Sequence, residues 1–162
     1  MFSDTLFGLT ISQILLTITA LILIGYFFMI NFIYFLSPNK KWESFPERCK
    51  IKTKCTRVAD FNNRGYGLKP IEIKDSIHNV QKKIISIINS KPRMKIINQK
   101  EGFIHAIDVT PFFRFYDDVA IKIFRENDKT IIWMQSQSRL GLHDLGVNEK
   151  RIKKLHKEMS LM

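Results

Sequence analysis

Charge is nearly missing from the first quarter of the chain. Between Thr5 and Asn39 there are 35 residues without a charged side chain, and no Lys or Arg precedes Lys40. Residues 40–162 hold all 26 basic side chains and 14 of the 15 acidic ones, a net +12. Cysteine is scarce as well. Cys49 and Cys55 are the only two, and their gap does not match the close Cys-x-x-Cys pairs of zinc or redox motifs. The four histidines, His78, His105, His143 and His156, offer no matching His pair, so neither a metal nor a cofactor site is expected. No Gly-x-Ser-x-Gly elbow, phosphate-binding glycine loop or His-Glu-x-x-His is present, and no catalytic residue is assigned. A length of 162 residues excludes a multidomain enzyme.

What is there is an apolar run from Ile11 to Leu36. At about 1.5 Å per residue it makes a helix of roughly 39 Å, enough to cross a hydrocarbon core of about 30 Å. A cleavable signal has a positive n-region, a shorter apolar stretch and a small-x-small site. Here the N-terminus reads Met1-Phe2-Ser3-Asp4 and the run ends in Tyr34-Phe35-Leu36-Ser37-Pro38, so a retained transmembrane helix over 11–36 is expected, preceded by a tail over 1–10. Tyr26, Phe27, Phe28, Phe32, Tyr34 and Phe35 crowd its C-terminal half, and Tyr34 and Trp42 sit where an interfacial aromatic belt belongs. The competing reading, a buried core helix, fails because the remaining chain cannot enclose so long an apolar cylinder.

Which side the domain faces is drawn in two directions. Lys40, Lys41, Arg48, Lys50, Lys52 and Lys54 follow the helix and none precedes it, which favours a cytoplasmic domain. Cys49 and Cys55 close a short disulfide loop if the domain faces a periplasmic or lumenal compartment, and are two ordinary thiols if it faces the cytosol. Residues 37–67, with Pro38, Pro46, Gly65, Gly67 and no sustained periodicity, read as a basic linker carrying this cysteine pair.

Residues 68–162 carry readable patterns. Asp75 is the expected N-cap of a helix to Asn89 whose Ile77, Val80, Ile84, Ile87 and Ile88 form one apolar stripe. Four strands follow, over 94–98, 103–109, 119–125 and 130–138, the last two joined as a hairpin through Glu126-Asn127-Asp128-Lys129. Asn148 is the expected cap of a last helix that turns Ile152, Leu155 and Met159 inward and Lys150, Arg151, Lys153, Lys154 and Lys157 outward. The expected fold is α+β: a single transmembrane helix, then a small domain with a four-stranded antiparallel sheet and two flanking helices.

The most distinctive residues lie around the third and fourth strands. Asp117-Asp118 follows the aromatic run Phe112-Phe113-Arg114-Phe115-Tyr116, and neighbours on a strand point to opposite faces. Then come Ser138-Arg139, Gly141, Asp144, Gly146, Asn148 and Arg151-Ile152. The acidic pair followed by Ser-Arg-x-Gly-x-x-Asp-x-Gly-x-Asn-x-x-Arg-Ile resembles the signature of the bacterial and plastid family known as the domain of unknown function numbered 1499. The resemblance covers roughly 49–161. It extends upstream to the family's Cys-x5-Cys, although here the stretch ends Lys54-Cys55-Thr56-Arg57-Val58 instead of the family's Asn-Cys-Val-Ser-Ser. It implies a membrane-associated or exported domain without an assigned activity.

Three readings of Asp117, Asp118, Ser138, Arg139, Gly141, Asp144, Gly146, Asn148 and Arg151 follow. In the structural one, Arg139 or Arg151 pairs with Asp117, Asp118 or Asp144. In the binding one, an arginine is left free for a carboxylate, a phosphate or a lipid headgroup. In the catalytic one, the acids act as a pair, or Ser138 with His143 as nucleophile and base. The leading function is a non-catalytic accessory or assembly subunit of a membrane complex, held in lipid by helix 11–36 and touching another membrane protein. The alternatives are a module binding anionic lipid or a small anion at the membrane surface, and a hydrolase. The +12 domain alone suggests nucleic acid, which is not expected as a partner because the basic residues are spread along the chain without a binding motif.

Overall fold

The structure is a computed structural model that describes residues 5–6, 9–38 and 40–162, so the expected tail over 1–10 lies partly outside the described residues. Thr5–Leu6 (β1) and Leu9–Thr10 (β2) pair as a minimal antiparallel ladder ahead of helix α1, Ile11–Leu36. A capping box starts α1: the Thr10 hydroxyl accepts from the Gln13 backbone N–H, and the Gln13 side chain accepts from the Thr10 N–H. Inside the helix Thr17, Thr19 and Asn31 hydrogen-bond carbonyls one turn back, at Gln13, Leu15 and Phe27. Each thereby pairs a side-chain donor within the helix, which lowers its cost in hydrocarbon surroundings. Ile33 is the one buried side chain of α1, while leucines and phenylalanines from Leu15 to Phe35 are exposed. The helix is long and apolar enough to cross a membrane.

Beyond it lies one antiparallel sheet of six strands rather than four. Cys55–Val58 (β3), Ile71–Ile73 (β4), Met94–Lys100 (β5), Phe103–Val109 (β6), Tyr116–Glu126 (β7) and Lys129–Ser138 (β8) are ordered β3-β8-β7-β6-β5. Strand β4 lies beside β3 on the same outer edge of β8: β3 pairs with residues 134–137 and β4 with 130–132. The segment read as a linker thus contributes a strand to the sheet. Asn127 and Asp128 both adopt positive φ between paired Glu126 and Lys129, a two-residue turn whose twist matches that of the strands.

Helices α2, Ile77–Asn89, and α3, Val147–Met159, pack on one face. Val80, Ile84 and Ile88 of α2 and Ile152, Leu155 and Met159 of α3 form one core with Ile104, Ala106, Val119, Ile121, Ile123, Ile132 and Met134. Each fully buried isoleucine contributes roughly 1.5–3 kcal/mol. Two expected caps differ. Ser76, not Asp75, caps α2 by accepting from Asn79 N–H, and Asp75 supports it by accepting from the Ser76 N–H. Helix α3 starts from Gly146, and Asn148 lies inside it, buried. Arg151, expected on the outer face, is buried beside Ile152.

The opposite face of the sheet is covered too. The chain before β3 folds back across it, with Phe45 against Trp133 and Trp42 stacked on His105. Arg57 is buried here between the rings of Phe45 and Phe61, its guanidinium donating to Pro46 O, Gln135 Oε1 and Asp60 Oδ1. Cys49 and Cys55 are joined in a disulfide that closes the turn into β3.

Candidate functional site: buried arginine and aspartate knots

Adjacent Asp117 and Asp118 start β7 and are both buried, on opposite faces of the sheet. Asp117 lies on the helical face in register with Asp108 of β6, and Arg151 of α3 reaches both: Nη2 donates to Asp117 Oδ2 and Nε to Asp108 Oδ2, each at 2.7 Å. The remaining Arg151 nitrogen, Nη1, donates to Ser136 Oγ at 2.9 Å and Asn148 Oδ1 at 2.6 Å. Asn148 completes the knot by donating to Ser138 Oγ and to the Lys54 carbonyl. One guanidinium thus ties α3 to β6, β7 and β8. Burial raises the Asp117 carboxyl above its ordinary value, Arg151 pulls it back, and Asp108 pushes the same way as burial.

Asp118 faces the other layer. Arg139 holds it with a two-pronged contact, Nη2 to Oδ1 at 2.8 Å and Nε to Oδ2 at 3.1 Å, and His105 Nε2 lies 2.9 Å from Oδ1. The Trp42 backbone N–H donates to His105 Nδ1 at 2.9 Å, so Nδ1 is the acceptor and the proton sits on Nε2, donating to Asp118. Both ring nitrogens are occupied and the imidazole is fully buried.

A third knot stabilises the polar loop. Asp144 accepts from Arg64 at 2.7 Å and from the backbone N–H groups of Gly146 and Asn148, which makes it the side chain that satisfies the free amides at the start of α3. Burial acts to raise the Asp144 carboxyl, but the bonds from Arg64, Asn148 and Gly146 outweigh it and hold it below the ordinary range. Gly146 has φ of 78°, a left-handed conformation that sends the chain from Asp144 into the helix, and Gly141 has φ of 77°. The Thr53 hydroxyl donates to the Leu142 carbonyl and fastens this loop to the segment before β3.

Of the signature residues, Arg151 and Asp117 share one knot with Ser138 and Asn148, Arg139 and Asp118 form the second, and Asp144 and Gly146 the third. Asp108, His105, Arg57 and Arg64 were not singled out from the sequence. For Asp108 and His105 a signal existed, since each interrupts the apolar run of β6. The arginines had none, because an arginine in a stretch with turns reads as solvated. The acids do not form a catalytic pair, being on opposite faces. Ser138 is bonded to Asn148, and His143 is exposed. Among the described residues no three His, Cys, Asp or Glu side chains are grouped to hold a metal.

A small cleft opens beside the second knot. Its volume is about 140 Å³, and Lys40, Lys50, Lys54, Asp118, Ser138 and Arg139 are among its walls, together with Pro38 directly after α1. Lys54 Nζ donates to the Arg139 carbonyl at 3.1 Å, and burial lowers its amine below the ordinary lysine value against the pull of Asp117.

With these knots in place, a family model described as "Protein of unknown function (DUF1499)" matches residues 47–159. The chain belongs to the DUF1499 family. The match begins two residues before Cys49 and ends at the last residue of α3, so it takes in the disulfide and all three knots of this DUF1499 domain and leaves α1 outside. A search of curated proteins finds no match to the chain.

Proposed function

We propose that this DUF1499 protein is a membrane-anchored, non-catalytic accessory or assembly subunit, with α1 as its anchor and its domain in an oxidising compartment. The observation that carries the non-catalytic part is the fate of the signature charges: Arg139 and Arg151 are spent on Asp118, Asp117 and Asp108, and Asp144 on Arg64. A site kept for turnover leaves a base or nucleophile facing a substrate. Here each such group holds one part of the fold to another, and His105 has no free nitrogen. Support for the anchor comes from the apolar side chains exposed along α1, which water does not tolerate over such a length. The Cys49–Cys55 disulfide supports the oxidising side, since thiols stay reduced in the cytosol, and it outweighs the lysine bias because long domains are exported regardless of charge.

A membrane-impermeant thiol reagent applied to intact cells tests the placement: Cys49 and Cys55 should label only after reduction. Labelling only after lysis, with no need for reduction, would put the domain in the cytoplasm. Native electrophoresis of the same membranes in mild detergent tests the assembly role. The chain should migrate within a larger complex, and migration as a lone chain would remove that part of the reading.

The basic cleft favours a second reading. It lies directly after α1, where phospholipid headgroups are, and Lys40 and Lys50 line a space suited to a small anion such as a lipid phosphate, while Arg139 offsets the charge of Asp118 in the wall.

A further inference from the structure

The loop from Thr110 to Phe115 joins β6 to β7 and is drawn into a closed neck: Thr110 N–H donates to the Phe115 carbonyl at 2.9 Å, and Phe115 N–H to Thr110 Oγ1 at 2.8 Å. Past the neck it projects Phe112, Phe113 and Phe115, which are 63%, 48% and 37% exposed. The three rings lie in contact, Phe112 edge-on to Phe113 at 4.9 Å and Phe113 beside Phe115 at 5.7 Å, so they make one continuous apolar surface. In water such a patch promotes aggregation.

The loop also touches α1. The Tyr26 hydroxyl donates to the Phe112 carbonyl at 2.9 Å, the Tyr26 and Phe112 rings lie 5.5 Å apart, and Tyr34 packs on Tyr116 at the base of the loop. Tyr26 precedes the end of α1 by ten residues, about 15 Å of helix. A 26-residue helix is about 39 Å long and exceeds a hydrocarbon core of about 30 Å by about 9 Å. Even with all of that excess on the domain side, Tyr26 lies about 6 Å below the hydrocarbon boundary, and tilting the helix only deepens it. The rings beside it are then at the depth of about 5–10 Å to which interfacial apolar groups sink.

We propose that the Phe112–Phe115 loop is a second membrane contact, a wedge inserted into the same leaflet from which α1 emerges. The occupant of the apolar surface is lipid, because the surface is continuous with α1 through Tyr26. The hydrogen bond from Tyr26 and the closed neck satisfy backbone groups that would otherwise be stranded in hydrocarbon. Arg114, exposed at the tip with φ of 55°, has a side chain long enough to return its charge to the phosphates. Helix and loop together hold the domain at two points, which fixes its tilt on the bilayer.

This inference rests on α1 being a membrane anchor, so the test carries a reporter for each. The full chain is reconstituted into phosphatidylcholine nanodiscs with or without lipids brominated along the acyl chain. Ile18→Trp reports α1 and Phe113→Trp reports the loop, each read as the emission added to that of the unsubstituted chain. The expected result is that brominated lipid quenches both, while aqueous acrylamide does not quench Phe113→Trp. Quenching of Ile18→Trp without Phe113→Trp overturns the wedge and leaves the anchor standing. Loss of quenching at both positions overturns the anchor and, with it, the depth assigned to the loop.

Discussion

Replacing Arg151 with alanine deletes the one group that joins α3 to three strands. In the native knot its guanidinium is shared between Asp108 and Asp117, both at 2.7 Å, and donates to Ser136 and Asn148. One oxygen of each carboxylate already lacks a hydrogen-bond partner among the described residues. In Arg151→Ala the other pair of oxygens loses its donor as well, leaving two buried acids facing each other across paired strands with only Arg93, 3.8 Å from Asp108, nearby. Removing one partner of a buried ion pair costs about 3–5 kcal/mol, and burial of the Arg151 side chain to 7% exposure means that solvent screening does not reduce this. For a domain of this size the midpoint of thermal unfolding should fall by about 12–20 °C. Emission of half-buried Trp133 on β8, followed during heating of the full chain in detergent, gives the measurement. A companion variant in which Arg151, Asp108 and Asp117 become Met, Leu and Leu removes the stranded charges together and should recover much of the loss. A loss of less than about 1 kcal/mol in Arg151→Ala would refute the claim that this knot docks α3, since so small a cost is that of an exposed pair.

Two carboxylates should shape the pH dependence of stability in opposite senses. Asp117, raised in the folded chain, keeps a proton that the unfolded chain releases, so its contribution is full below the ordinary carboxylate value and is lost as pH rises through the folded value. Asp144, lowered in the folded chain, contributes above the ordinary value and loses that contribution as pH falls through its folded one. Guanidinium unfolding from about pH 2 to 7 should show the fall on rising pH removed in Asp117→Asn and the acid loss reduced in Asp144→Asn; unchanged profiles in both would refute the assignment. If the basic cleft holds lipid phosphate, the full chain in anionic nanodiscs should retain bound phosphatidylglycerol less well as salt rises. Lys40→Gln with Lys50→Gln should lower that retention about thirtyfold, at about 1 kcal/mol for each cation removed near the surface. Equal retention by the double variant would refute the headgroup reading.

The elements that sequence shows most clearly are those whose own periodicity carries the information. Helix α1 has the bounds read from the apolar run, and Val80, Ile84 and Ile88 on α2 and Ile152, Leu155 and Met159 on α3 face inward at the expected spacing. Strands β5 to β8 follow from short runs set off by turn residues and from the turn at Asn127-Asp128. Strands β3 and β4 were illegible because four and three residues are too few to show a period. Moreover, β3 buries all of Cys55-Thr56-Arg57-Val58, with Arg57 accepted only because Gln135, Asp60 and two aromatic rings from distant positions surround it. Caps were misplaced for a related reason. Asn148 has the right chemistry for a cap, but the positive φ of Gly146 starts the helix earlier and gives the capping to Asp144. Pairing of the acids depends on sheet register: Asp117 meets Asp108 only because β6 and β7 align those positions.

The short passage from α1 to the sheet has a mechanical consequence. Trp42, six residues beyond Leu36, is already bound to His105 within the domain, so the chain between them spans at most about 20 Å. A flexible linker of thirty residues would let the domain roam by roughly 30 Å. Anchored as proposed, this domain works instead as a fixed-height ruler. A partner that docks on it must present its own surface within one domain's thickness of the bilayer, so membrane distance becomes a criterion of recognition before any side chain is read.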